Sequence, residues 1–419
     1  MTQVVGQRIP RHDALQQVTG TSIYTNDLIR PGMLHSKAVR SAFPHAAIVE
    51  VDTSKAIHIP GVAAIITARD VPNNSYGFTH VDQEVLCTSK VRYRGDLVAA
   101  VAADSLDAAE EAASLIEVEY HPLPAVFDVL EAMKPDAPKV HGASNIAARV
   151  CITSGDIEQG WRESDVVVEE TIRTQRQEHC QLEPHVALAE VDSTGFITVH
   201  SSLQRPFRIA ADLSRILQVP INRIRVVNSA VGGGFGGKGE LSVEAIACLL
   251  ALHARKPVVM SLTREEEFRS TTVRHPDIAM YKTGVKKDGT LVARQIDIVR
   301  DTGAYVSQGQ ATLNKACILA AGPYRIPNVK ITGHLVYTNS SIGGAMRGAG
   351  APQVAFACET HMDTIAETLG MDPLELRLKN ILEDYSTLPT GQVLEKVTLR
   401  ETIQRAVEIM GWKRDGDWL

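Results

Sequence analysis

The sequence lacks paired cysteines. Its 419 residues hold only Cys87, Cys151, Cys180, Cys248, Cys317 and Cys358, scattered with no two at C-x-x-C spacing. That pattern gives neither an iron–sulfur cluster nor a structural zinc a ligand set within the chain. A disulfide framework is excluded too, because such frameworks belong to short, cysteine-dense secreted chains. The thiols are read as free groups in a reducing compartment. The opening MTQVVGQRIPRHDALQQVTG has no cationic segment followed by an apolar run, so neither a secretory nor a twin-arginine signal is read. The longest apolar stretches, residues 98–103 and 246–251, fall far short of the roughly 20 residues a membrane span needs. Charge of either sign is not in excess: 43 Lys and Arg against 49 Asp and Glu leave −6. No supercharged nucleic-acid binder has that balance. Hydrophobic residues at 44% and charged residues at 22% exclude a disordered or collagen-like chain. The expectation is a cytoplasmic protein without membrane or nucleic-acid partners. At about 150 residues per domain it has two or three domains.

The elements follow from periodicity and punctuation. Residues 1–125 are read as a compact α+β domain. Strands are predicted at 47–51 (AIVEV), 62–67 (VAAIIT) and 96–103 (DLVAAVAA). A helix over 105–116 takes Asp104 or Ser105 as its N-cap, and a strand over 117–120 follows. Pro122, Pro124, Pro135 and Pro138 then mark a linker, placed at 126–150. Over 151–419 strands are predicted at 166–174, 186–191, 196–200, 224–228, 257–262, 281–285, 291–300 and 329–337. Helices are predicted at 206–217, 240–253, 353–369, 373–380 and 399–410. In the helix over 353–369, Ala355, Cys358, Met362, Ile365 and Leu369 form a stripe expected to face the core.

The least ordinary segment is residues 231–240, VGGGFGGKGE, between a strand and a helix. Gly232, Gly237 and Lys238 match a phosphate-binding G-x-x-x-x-G-K, but Gly239 stands where a Ser or Thr would hold magnesium. Gly232, Gly234 and Gly237 match G-x-G-x-x-G, but the acidic residue expected about 20 positions on is replaced by the basic Ala254–Arg255–Lys256. What remains is a glycine-rich backbone whose amides can approach a ligand, at a helix N-terminus that would favour an anion. A plain strand–helix turn is the alternative. Phe235 is the loop's one aromatic side chain, free to face a ligand or to anchor a core. A second loop, residues 343–353 (GGAMRGAGAPQ), carries Arg347 among small residues, suited to binding an oxyanion or to pairing with a local carboxylate. Gln204 in SLQRPF offers a donor and an acceptor ahead of a helix starting near Pro206. Glu183, Pro184 and His185 make a further polar cluster, with His185 read as structural.

Taken in order, EPH, SLQRPF, GGGFGGK and GAMRGAGAPQ resemble the molybdenum-binding chain of the xanthine oxidase family of molybdenum hydroxylases. RHDALQQVTGTSIYTNDL is similar to that family's opening, and FPHAAIVEVDTSKAIHIPGVAAIITARDVP and RYRGDLVAAVAADSLDAAEEA to its hammerhead-type α+β domain. The resemblance runs from about Arg8 to the C-terminus and implies an α+β fold. A hammerhead domain over 1–125 would precede the first half of the molybdopterin-binding region over 151–419. The implied reaction is hydroxylation of an electrophilic carbon with oxygen from water.

By the same resemblance, Gln204, Gly234, Phe235, Gly236 and Arg347 would contact the molybdenum cofactor, with Gln204, Phe235 and Arg347 nearest the metal. Purine-oxidising members carry a Glu after GGK, an Arg near the segment before CYKIPN, and a Phe two residues after the second-loop Arg. The matching positions here are Gly239, Lys315 and Ala349. Losing an aromatic stacking face costs on the order of 1 kcal/mol with a ring substrate. The implied substrate is therefore another N-heteroaromatic or an aldehyde, and Lys315 can hold an anionic group as a point charge.

Family chains are usually about twice as long, and members such as nicotinate dehydrogenase divide the molybdenum subunit in two. The resemblance thus implies that the catalytic Glu lies on a second molybdopterin-binding chain, with no catalytic base here; a truncated chain is the alternative. It further implies a cytosine dinucleotide form of the pterin, and 2Fe-2S and FAD on other subunits. A non-catalytic binding or assembly protein that keeps the fold is the other reading.

Overall fold

The computed structural model describes residues 4–412. The chain forms two compact units, and each is assembled from two separate stretches of sequence. One comprises the chain up to Leu123 together with His179–Thr271; the other comprises Pro124–Glu178 and the chain from Thr272 onward. The division after Leu123 falls beside the boundary read at 125, and no division falls at 151.

The first unit is built on a seven-stranded mixed sheet. Its order is Ile224–Asn228, Ile197–Ser201, Val186–Val191, Val258–Ser261, Leu34–Arg40, Leu97–Ala103, Val62–Thr67. Strands from the hammerhead-like stretch and from beyond residue 180 therefore share one sheet. They are joined by the parallel pairs Leu34↔Val258 and His35↔Val259. A small three-stranded sheet of Lys90–Val91, Ala46–Asp52 and Glu117–Pro122 and a two-stranded one of Ser75–Tyr76 and Gln83–Glu84 belong to the same unit.

The run LVAAVAA over Leu97–Ala103 has no polar alternation because both its faces are covered. Ala100 and Ala102 pack into one core, Ala99 and Val101 into another. The second of these cores includes Ala112 from the helix Leu106–Ser114, whose N-cap Ser105 accepts from the Ala108 amide. The helix Pro206–Leu217 begins with proline at its first position and ends at left-handed Gln218. It buries Ile209, Leu213 and Ile216 against the helix Glu244–Ala254. The latter is apolar on every side and sits inside the core.

The second unit holds a five-stranded sheet in the order Val166–Arg173, Asp277–Val285, Leu291–Gly303, Asn328–Tyr337, Ile146–Ser154. All its pairs are antiparallel except Leu291–Gly303 with Asn328–Tyr337. A parallel pair requires a crossover, and the helix Gly309–Leu319 lies in that connection. The helices Ala351–Leu369 and Pro373–Asn380 add to the same core.

Several expectations are revised. Residues 126–150 are not a free linker: Val126, Val129, Ala132 and Val140 are buried in the core, and the strand Ile146–Ser154 starts within them. The prolines punctuate turns there without preventing burial. On the helix Ala351–Leu369 the buried face carries Val354, Ala357, Cys358, His361, Met362, Ile365 and Ala366. Ala355 points outward and Leu369 is half-buried. His361 joins this face because Thr283 Oγ1 at 2.9 Å and Glu170 Oε2 at 3.2 Å satisfy its ring. No disulfide joins any of the six cysteines; Cys151 and Cys180 are exposed and the rest buried. No helix among the described residues is long and apolar enough to cross a membrane.

Candidate functional site

The glycine loop lies in the first unit, after the strand Ile224–Asn228. Phe235 and Gly236 adopt positive φ, +49° and +111°, and a single 3-10 turn over Gly237–Gly239 follows. A positive φ at a bulky residue is a strained conformation, costing on the order of 1–3 kcal/mol. It leaves the Phe235 ring 47% exposed.

Gln204 packs directly against this loop. Its backbone N–H donates to the Lys238 carbonyl at 2.7 Å, and its Oε1 accepts from the Gly236 amide at 2.9 Å. Because an amide N–H faces Oε1, the orientation of the Gln204 carboxamide is set and its NH2 end remains as a donor. The Gly236 amide is thus occupied, as are those of Gly232, Gly237 and Gly239. The amides of Gly233, Gly234 and Phe235 donate to no acceptor among the described residues. A Cβ at Gly234 would stand 2.7 Å from Gln204 Oε1, so only glycine admits this approach.

The lysine of the G-x-x-x-x-G-K pattern points inward. Lys238 is wholly buried, with Nζ 2.9 Å from Glu183 Oε2 and 2.7 Å from Ser202 Oγ. Burial pushes its ammonium below the ordinary value, and Glu183 opposes that shift. Glu183 Oε2 also accepts from Ser202 Oγ and, at 2.7 Å, from the Gly232 amide. With its lysine committed, the loop has no side chain for a nucleotide phosphate. The helix-dipole expectation is also corrected. The helix begins only at Glu244, whose buried carboxylate accepts from the Ser242 amide at 2.9 Å and Ser201 Oγ at 2.7 Å. An acid already stands where an incoming anion would bind.

Beneath the loop, His185 is buried with Nε2 3.2 Å from the Gly237 carbonyl and Nδ1 2.9 Å from Glu267 Oε1. Burial alone would raise the Glu267 carboxyl, but hydrogen bonds from His185 and Gln181 outweigh it and hold the group below its usual range. A Cβ on Gly237 would approach His179 Nδ1 to 2.9 Å. Gly237→Ala is therefore expected to destabilise the chain by about 1–3 kcal/mol through overpacking, read as a lower midpoint in denaturant melts.

The second loop belongs to the other unit. Gly343–Gly344 pairs in parallel with Val273–Arg274. Gly348, Ala349 and Gly350 then take successive positive φ of +95°, +46° and +94° before the helix Ala351–Leu369. The Arg347 side chain is exposed, and its carbonyl accepts from Arg274 Nη2 at 3.0 Å. Below it, Arg300 and Asp277 form a fully buried bidentate pair at 2.7 and 2.6 Å. Lys315 lies on the exposed face of the helix Gly309–Leu319.

The structure therefore brings Gln204, Gly234, Phe235, Gly236 and Gly239 together in one unit and places Lys315, Arg347 and Ala349 in the other. The supporting roles of Ser202, Lys238, Glu267 and Arg274 had no sequence signal, since their partners lie far off in the chain, even though Lys238 itself stood in the glycine motif. Among the described residues no group of three His, Cys, Asp or Glu is placed to hold a metal ion. In the first unit the donors left for a ligand are the amides of Gly233, Gly234 and Phe235 and the Gln204 carboxamide.

Comparison with known proteins yields two family matches. Residues 140–381 match the molybdopterin cofactor-binding domain. Residues 19–124 match the aldehyde oxidase and xanthine dehydrogenase a/b hammerhead domain. A probable xanthine dehydrogenase subunit of Bacillus subtilis is 44% identical over 97% of this chain, which spans 56% of that relative. The nicotinate dehydrogenase large molybdopterin subunit of Eubacterium barkeri is 38% identical, with 98% of each chain covered. The crystallised aldehyde oxidoreductase of Desulfovibrio gigas superposes with TM-score 0.92 at 34% identity, over 96% of this chain and 46% of its own. The quinoline 2-oxidoreductase of Pseudomonas putida gives 0.91 at 30%, over 97% and 54%. The chain thus spans about half the length of most of these relatives and nearly all of the Eubacterium subunit.

Proposed function

The chain belongs to the family of molybdopterin-binding subunits of molybdenum oxidoreductases, and from that premise we propose that it is the cofactor-holding part of a molybdenum hydroxylase that oxidises an anionic N-heteroaromatic or an aldehyde. The observation carrying this reading is the set of unpaired amides of Gly233, Gly234 and Phe235 beside an oriented Gln204. Their donors match a cofactor rich in anionic oxygen and sulfur. When bound, the molybdenum centre supplies a two-electron oxidation in which water provides the oxygen.

The chain's own groups bind and orient. Gln204 directs its NH2 toward an oxygen of the cofactor, and the loop amides hold its charge with fixed dipoles, which cost no reorganisation during reaction. Phe235 covers the cofactor and excludes water. Arg347 offers its guanidinium fork to an anionic oxygen. Gly239 and Ala349, both small, leave room for the substrate, and Lys315 attracts its carboxylate. No residue here is assigned as the base that takes the proton from the attacking oxygen. That Glu belongs to a second molybdopterin-binding chain, and iron–sulfur and flavin subunits carry the electrons away. The pterin is assigned the cytosine dinucleotide form, in a cytoplasmic complex.

Lys315→Met is expected to raise KM for an anionic heteroaromatic about tenfold, the loss of one charge-assisted contact, while KM for a neutral aldehyde stays constant. Equal effects on both would remove Lys315 from the pocket. The reaction class is tested by turnover in 18O-labelled water. The expected product carries the label; label taken instead from 18O2 would overturn the reading.

A further inference from the structure

The tripeptide Glu183–Pro184–His185 contacts neither cofactor nor substrate in the proposed function, and yet it touches both ends of the glycine loop. We propose that it is a two-point clamp, with Glu183 and His185 as positioning residues that hold the loop in the conformation that receives the cofactor. The proposal rests on the reading of that loop as the cofactor's seat.

Glu183 Oε2 takes the Gly232 amide at 2.7 Å at the start of the loop. His185 Nε2 faces the Gly237 carbonyl at 3.2 Å at its end, and so carries a hydrogen. Between these anchors lie residues 233–236, with φ of +96° at Gly233, +49° at Phe235 and +111° at Gly236. The three unpaired amides fall in the same interval. Glycine loses more conformational freedom on ordering than any other residue. A glycine-rich segment left to itself would spread over many conformations, in most of which its amides point elsewhere. Pinning both ends removes that freedom.

The anchors are stiff because each is backed by buried charge. Glu183 is held by Lys238 Nζ at 2.9 Å and by Ser202 Oγ. His185 is held by Glu267, which also takes Gln181 Nε2 at 2.6 Å. In such networks each bond fixes the geometry of the next. The clamp reaches Gln204 as well, since the Lys238 carbonyl accepts the Gln204 amide at 2.7 Å. Pro184, with its fixed φ, separates the two anchoring side chains.

The test uses the full chain with its companion chains, in wild type and in Glu183→Gln, His185→Ala and His185→Gln. Amide exchange is followed by mass spectrometry over residues 231–240 after cofactor release. Molybdenum per complex, turnover per molybdenum and the Mo(V) resonance are measured before release. In Glu183→Gln and His185→Ala the bonded amides of residues 232–239 are expected to exchange about tenfold faster, a loss of about 1.4 kcal/mol of local protection. Molybdenum occupancy falls and the Mo(V) signal shifts, while His185→Gln, which can still donate to Gly237, recovers part of both. Should His185→Ala fail to fold, Glu183→Gln and His185→Gln carry the comparison. Unchanged exchange over 231–240 with unchanged occupancy, alongside a lower melting temperature, overturns the clamp and leaves only a structural role. If the wild-type complex holds no molybdenum but exchange still rises in the variants, the clamp stands and the cofactor reading fails. If molybdenum is present and exchange does not change, the reverse holds.

Discussion

Gln204→Ala is expected to lower turnover per bound molybdenum by about 10²–10³-fold, the usual loss when one preorganised donor is removed from a water-excluded site. The size follows from the orientation of the side chain. The Gly236 amide holds Oε1 at 2.9 Å and the Lys238 carbonyl holds the backbone at 2.7 Å, so the NH2 end is aimed before the cofactor arrives. Gln204→Glu separates aim from donation. A glutamate still accepts from Gly236 but has no hydrogen to donate when ionised, so it should lose nearly as much activity as alanine. Turnover is compared after normalising to metal content. Full activity in Gln204→Glu would remove the donor role.

Arg300→Met is expected to destabilise the unit that carries the second loop by about 3–5 kcal/mol, because it strands Asp277 as a buried, unpaired carboxylate. The pair is 0% and 2% exposed, with bonds of 2.7 and 2.6 Å. The double replacement Asp277→Leu with Arg300→Met should recover most of that loss, since well-packed apolar groups replace such pairs at little cost. Denaturant melts of the three variants decide it. A Cβ at Gly350, the residue before the helix Ala351–Leu369, would lie 3.1 Å from Arg300 Nη1. The pair therefore also backs the loop that presents Arg347, and Arg300→Met should lower cofactor occupancy together with stability.

How much of this was legible in the sequence depends on how local each cause is. The helix Pro206–Leu217 begins at a proline and buries a clear apolar stripe, so its limits are readable. The strands Val186–Val191 and Ile224–Asn228 are short apolar runs between turn residues and are equally plain. Leu34–Arg40 (LHSKAVR) escaped because its alternation is broken by Ser36 and Lys37. Ser36 is nevertheless buried, with Oγ donating to the Val259 carbonyl 223 residues away. The helix Gly309–Leu319 has no side-chain cap at its N-terminus and opens on glycine. The loop residues at the site were visible because glycine density is a local signal. Their supports were not: Lys238 is neutralised by Glu183, 55 residues earlier, and no spacing rule connects the two. The same non-locality hid the sharing of one sheet by strands from either side of residue 180.

In the proposed function this chain holds a molybdenum pterin through backbone amides and Gln204. This is tested most directly by native mass spectrometry of the intact complex purified with its companion chains, with metal analysis and release of the pterin. The expected result is one molybdenum and one pterin, as the cytosine dinucleotide, for each copy of this chain, alongside a second molybdopterin-binding chain. A complete, folded complex that contains this chain and neither molybdenum nor pterin would contradict it.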